Sequence, residues 1–135
     1  MNDHRDPRST PSPLAYLWAG PTTLLGLILA ALTALSKGHC EVREGILAVW
    51  GGFARGFLSS RLVRAKAMAL GHVVLAVDRH GLEIHWAHER QHVRQAETWG
   101  AAFIPAYLLA SAWAFLNGRH YYTDNWFEKD ADRRS

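Results

Sequence analysis

The sequence predicts an α+β domain carried behind an N-terminal membrane helix, and three observations predict it. Residues 9–36 contain no charge. Short apolar runs rich in β-branched side chains and bounded by glycines lie between His39 and Asp78. From Gly81 onward, apolar residues recur at helical spacing around His88-Glu89-Arg90-Gln91-His92, which fits H-E-x-x-H.

Residues 1–12 are polar, with prolines, and read as a disordered lead-in. The next stretch, 13–36, is rich in leucine and long enough to cross roughly 30 Å of hydrocarbon at about 1.5 Å per residue. It exceeds the ~7–15-residue apolar core of a secretory signal, and no Ala-x-Ala site precedes Lys37, so it reads as a transmembrane or signal-anchor helix. A buried core helix is the remaining alternative. Residues 39–135 then form a single domain. Within it, 46–50 and 68–77 (MALGHVVLAV) read as strands of a small antiparallel sheet, with Gly51, Gly52 and Gly56 as turn signals between them. Leu82, Trp86, Val93 and Ala96 mark the H-E-x-x-H helix. A second uncharged run, 98–118, has Pro105 near its start, in the first turn of a new helix. A short C-terminal helix follows, capped by Thr123, Asp124 or Asn125.

Composition excludes several classes. A formal charge of +3 without a basic stripe argues against nucleic acid. One cysteine, Cys40, excludes a disulfide framework and Cys-based zinc modules, and agrees with a reducing compartment. The chain has eight histidines, so a metal here must be held by imidazoles and carboxylates.

His88 and His92, four apart on a helix, present both imidazoles on one face, where they can reach one metal ion. Two imidazoles and a carboxylate with an open fourth position are the usual catalytic zinc set. Glu89 projects beside them, placed to take a proton from a metal-activated water. His85 extends the histidine face, but lies about 10 Å along the axis from His92, too far to share the ion. It reads as a packing or substrate-side residue. Gln95 and Thr98 stand where a glycine and a third histidine would follow in one branch of such motifs, so the third ligand must come from elsewhere. Glu128-Lys129-Asp130-Ala131-Asp132 fits E-x-x-A-D, 36 residues after His92. Glu128 completes a His₂Glu set, and Asp132, one turn on, can hold the free nitrogen of a ligand imidazole. His4, His39, His72 and His80 read as ordinary surface or satisfied histidines, and Gln91 and Gln95 carry no separate signal.

H-E-x-x-H followed by E-x-x-A-D resembles the glutamate zincins (gluzincins), metallopeptidases, and at this length their minimal single-domain forms. The wider pattern GHVVLAVD…AHERQHVRQAETWGAAFIPAYLL…YYTDNWFEKDA, roughly the C-terminal half, is similar to an uncharacterised family of small bacterial membrane-associated proteins. The resemblance implies a zincin-like fold, one zinc ion on His88, His92 and Glu128, and Glu89 as general base. It also implies that 68–77 supplies an edge strand along which a peptide substrate aligns. His120, Tyr121 and Tyr122 are candidates, by position, for the transition-state stabiliser.

The metal reading makes a topological demand. The 98–118 run is long enough to span a bilayer, yet if it did, Glu128 would lie across the membrane from His88 and His92. The run must therefore fold back, with Gly100 and Pro105 turning it. The alternative is a non-catalytic integral membrane protein with two membrane helices, its histidine-lined helix serving structure or metal binding. A third reading is a zinc-binding regulator without peptidase activity. Nine Lys or Arg residues between Lys37 and Arg94, against two in 1–8, place the domain on the cytoplasmic side of a bacterial inner membrane.

Overall fold

The computed structural model describes residues 11–135. The expected lead-in lies outside the described residues apart from Pro11 and Ser12, as does His4. Ser12 caps the first helix by accepting from the Ala15 amide at 3.3 Å.

The apolar run at the N-terminus is two helices and not the single one expected over 13–36: α1 (Pro13–Trp18) and α2 (Gly20–Leu35), broken at Ala19. Pro21 causes the break, because it has no N–H and its ring clashes with the carbonyl four residues back. The 16 residues of α2 rise about 24 Å, less than the hydrocarbon thickness. One stripe of α2, namely Thr22, Gly26, Ala30 and Thr33, is buried, while Leu24, Leu25, Ile28, Leu32 and Leu35 are exposed. The small stripe lets the backbone approach a sheet: a Cβ on Gly26 would lie 2.7 Å from both the Leu70 carbonyl oxygen and Val73 Cβ. Gly26→Val is therefore expected to destabilise by about 1–3 kcal/mol through overpacking. A thermal melt with an unchanged midpoint would show that α2 can lift off without loss.

The sheet comprises β1 (His39–Arg43), β2 (Ile46–Trp50), β3 (Ala67–Leu70) and β4 (Val73–Ala76), in the order β1-β2-β4-β3. It is mixed and not purely antiparallel, since β2 and β4 pair in parallel, with Leu47 opposite Val73 and Trp50 opposite Ala76. The reason is a crossover. Residues 51–56, expected as turns, begin helix α3 (Gly52–Ser59), in which Ala54 and Leu58 bury one face one turn apart. This helix carries the chain to the far edge, where β3 runs antiparallel to β4. The run 68–77 is thus a hairpin turning at Gly71, and only β3 is an edge; β4 is interior.

Both faces of the sheet are covered, which is why β4 reads as continuous Val-Val-Leu-Ala. Val73 and Leu75 pack with Ala30, Ala54 and Leu58 of α2 and α3. Val74 and Ala76 face the other way, with Ile46 and Ala48, onto Leu82, Trp86 and Val93 of helix α4 (Arg79–Trp99). Asp78 caps α4, accepting from the Gly81 amide at 2.7 Å.

After α4 the chain bends. Gly100 has φ +58°, and its Cα sits under the Trp18 indole so closely that a Cβ would meet the ring at 2.5 Å. The Trp18 indole N–H donates to the Thr98 carbonyl at 3.1 Å, holding the bend from the outside. A 3₁₀ turn (Gly100–Ala102) leads into α5 (Phe103–Leu116), and α6 (Trp126–Arg134) closes the fold. Among the described residues one helical stretch, Arg79–Leu116, is long and apolar enough by length and composition to cross a membrane, whereas Gly20–Leu35 is apolar but shorter. The apolar part of the long stretch is the 14 residues of α5, about 21 Å, beyond the bend. Ala19, Ala96, Phe103 and Phe127 make one cluster, so α5 returns beside α4 and meets α6.

Candidate metal centre

Helix α4 positions three of the site's residues through its sheet-facing side. Leu82, Trp86 and Val93 lock the helix rotation, which turns His88, Glu89 and His92 toward α6 and the edge of β3. Asn125 sets the start of α6. It is fully buried, accepts from the Phe127 amide at 2.8 Å, and donates to the Tyr107 carbonyl at 3.0 Å and Ser111 Oγ at 2.8 Å. That staple fixes the first turn of α6 against α5 and delivers Glu128 to the two imidazoles.

His88, His92 and Glu128 form a group that can hold a metal ion. Their facing atoms are close to an equilateral triangle: His88 Nε2 to Glu128 Oε2 is 3.0 Å, His92 Nε2 to Glu128 Oε2 is 3.2 Å, and the two Nε2 atoms are 3.1 Å apart. The outward nitrogens determine what those atoms are. Gln95 Nε2 donates to the Phe127 carbonyl at 2.9 Å and to Asp130 Oδ2 at 3.0 Å, so its Oε1 is what faces His92 Nδ1 at 2.8 Å. His92 Nδ1 is therefore the protonated nitrogen. Asp132 Oδ1, 2.9 Å from His88 Nδ1, assigns the second ring in the same way. Both Nε2 lone pairs then converge with a carboxylate oxygen, an arrangement of three acceptors that needs a cation or shared protons between them. Tyr107 donates its hydroxyl to Glu128 Oε1 at 2.5 Å, leaving Oε2 as the inward atom.

When shared protons fill the triangle, each imidazole donates to Glu128 through its Nε2, and the electrostatics describe that state. Burial raises the Glu128 carboxyl, but hydrogen bonds from His88 and His92 outweigh it and bring its pKa down to about 2. His88 is raised by its hydrogen bond to Glu128 against burial; in His92 burial pulls down, and the Glu128 hydrogen bond and charge prevail upward. Glu89 is buried, which raises its pKa against the lowering pull of His92 and His88. An amide hydrogen bond from Ala69 on β3 steadies it. Glu89, His92, Glu128 and Met68 line one cavity of about 460 Å³ with Tyr121 and Tyr122.

The structure thus brings together His88, Glu89, His92, Glu128 and Asp132. It divides the three candidate stabilisers. Tyr121 and Tyr122 line the cavity, and burial together with the Glu128 and Glu89 charges pushes the Tyr122 phenol up, so it stays a hydroxyl donor. His120 instead turns its Nδ1 to the amides of Tyr122 and Thr123, both at 3.2 Å, and stacks on Tyr121. It shapes the loop and does not line the cavity. His72 is a satisfied histidine, buried with Nε2 2.9 Å from Glu97 and Nδ1 3.3 Å from Thr23 Oγ1.

Sequence reasoning missed Gln95, Tyr107 and Asn125's second role. The i, i+3 spacing from His92 to Gln95 was the available signal for the first; Tyr107 is one polar tip in an apolar run. Gln95 is 6% exposed, whereas the Asp132 side chain is 73% exposed, so Gln95 is the stronger orienting partner. Gln95→Leu is expected to weaken metal binding about 10–100-fold, and Asp132→Ala less. Titration with a competing chelator measures both; equal losses would refute the burial argument.

Compared with protein-family models, with curated proteins and with solved structures, the chain has no match, so the reading of the site rests on its own geometry.

Proposed function

We propose that this chain is a zinc-dependent metallopeptidase of the glutamate-zincin type, held at a membrane by α1 and α2. The observation that carries the metal is the triangle of 3.0, 3.1 and 3.2 Å between two bare imidazole nitrogens and a carboxylate oxygen. Tetrahedral zinc, with bonds of about 2.0–2.1 Å, separates its ligand atoms by about 3.3 Å, within a few tenths of these distances. His88, His92 and Glu128 would hold the ion and leave its fourth position to the cavity. Bound there, zinc supplies Lewis acidity and lowers the pKa of water.

The chain's own residues do the rest. Glu89, with its raised proton affinity and cavity-facing carboxylate, accepts a proton from the attacking water and passes it to the leaving amine. Gln95 and Asp132 keep both rings in the Nδ1–H form. Tyr122 is the candidate hydroxyl donor to the developing oxyanion. The outer edge of β3, which lines the same cavity and has its Ala69 amide on Glu89, aligns an extended peptide through its remaining main-chain groups. The test is hydrolysis of a quenched fluorescent peptide pool by the full chain: cleavage should stop with a chelator and return with zinc. Cleavage indifferent to chelation would overturn the reading.

A further inference from the structure

The cavity beside the triad has an unusual rim. Leu62 and Leu108 both line it, yet are 91% and 61% exposed. Leu62 belongs to the loop between α3 and β3, flanked by Arg61 and Arg64, with Lys66 just beyond. Arg61, Arg64 and Lys66 are all exposed, and no acidic residue occurs between Glu44 and Asp78, so this loop is cationic. Leu108 belongs to α5, whose neighbouring Leu109 and Trp113 are 71% and 72% exposed. Exposed apolar side chains with cations along one margin suit one surface above others, an anionic bilayer: leucines enter the acyl boundary and each Lys or Arg gains about 1 kcal/mol at the headgroups. A second copy of the chain would set the same cations against one another.

We propose that the cavity opens onto an anionic membrane, and that its substrates are apolar peptide segments arriving from the lipid. This rests on the metallopeptidase reading for the chemistry, but not for the placement. The walls fit the proposal: Val63, Met68, Leu70, Phe103 and Ile104 line the space next to Glu89. An apolar side chain entering there leaves lipid for a comparably apolar wall, and the carboxylate meets the backbone it must act on.

The test uses the full chain, one per lipid nanodisc, in a Cys40→Ser background. A single environment-sensitive fluorophore is attached at Leu62→Cys, Leu108→Cys or, on the opposite sheet edge, Val42→Cys. In discs of phosphatidylcholine with phosphatidylglycerol, doxyl lipid should quench the labels at 62 and 108 several-fold more than at 42. Omitting phosphatidylglycerol should reduce quenching at 62. Quenching at 62 and 108 no greater than at 42 overturns the proposal, and so does a label at 62 that is shielded but unquenched, which would mean a protein partner. A second readout concerns the slot. Binding of n-alkyl hydroxamates to zinc-loaded chain, corrected with Glu128→Ala for uptake by lipid, should tighten about fourfold per added methylene until the cavity fills. Acetohydroxamate binding with no gain from the tail would overturn the apolar-substrate claim while leaving the metal site intact. Failure to bind zinc would instead remove the metallopeptidase reading, with the quenching result still deciding the placement.

Discussion

Glu89→Gln is expected to keep a full equivalent of zinc while hydrolysis falls by about 10²–10⁴-fold, the range general-base removal produces. The two halves of this result have separate causes. Glu89 is not one of the three converging atoms, so the amide leaves the triangle in place. The amide is close to the carboxylate in shape and can still accept from Ala69, so the wall of the cavity is preserved. What it lacks is a proton-accepting charge. Metal content by elemental analysis, beside turnover on the same preparation, separates the outcomes. Unchanged turnover removes Glu89 from the chemistry, and lost zinc means that the glutamate belongs to the metal site itself.

Glu128→Ala and His92→Ala are each expected to abolish stoichiometric zinc, a larger loss than the 10–100-fold of an orienting partner. Removing Glu128 also takes the acceptor from the half-buried Tyr107 hydroxyl, at less than the cost of about 1–3 kcal/mol for a fully buried unpaired donor. Glu128→Gln keeps a partner for that hydroxyl and isolates the ligand effect; a circular dichroism melt distinguishes unfolding from metal loss. Zinc retained in Glu128→Gln at wild-type affinity would exclude the His₂Glu set. Uptake also carries a proton signature. Beside Glu128, both imidazoles keep their protons to higher pH than ordinary histidines, and zinc must displace them. Affinity should therefore fall as pH drops from neutrality, and zinc addition in weak buffer should acidify the solution.

The helix bearing the site was readable because its information is local. Spacing of four turns His88 and His92 to one face, and Leu82, Trp86 and Val93 repeat at helical period beneath them. Glu128 required a second motif 36 residues away, and the E-x-x-A-D pattern supplied it. Less local features were misread. Nothing within 46–50 or 73–76 says that the two strands run in parallel, because that follows from where α3 deposits β3. Gly51, Gly52 and Gly56 carry a breaker signal that burial of Ala54 and Leu58 overrides. Hydropathy reads the uncharged 13–36 run as one continuous lipid-facing helix, because it averages over faces. It does not register that Thr22, Gly26, Ala30 and Thr33 form a seam against the sheet. Gln95 was passed over because a glutamine in a charged helix looks the same whether it faces solvent or a ligand's ring.

That seam has a practical consequence. Val73 and Leu75 lean on α2 as much as on α3, so the sheet's second face is completed by the very segment proposed to hold the chain at a membrane. Among the described residues no hinge separates α2 from the sheet that carries the site, and a fragment begun at His39 to gain solubility would leave one face of the sheet partly uncovered. The spacing between α2 and Glu89 is consequently fixed by the sheet packed between α2 and α4. On the proposed membrane-bound reading, that fixed spacing would make the molecule a ruler, selecting scissile bonds by depth before any side chain is read.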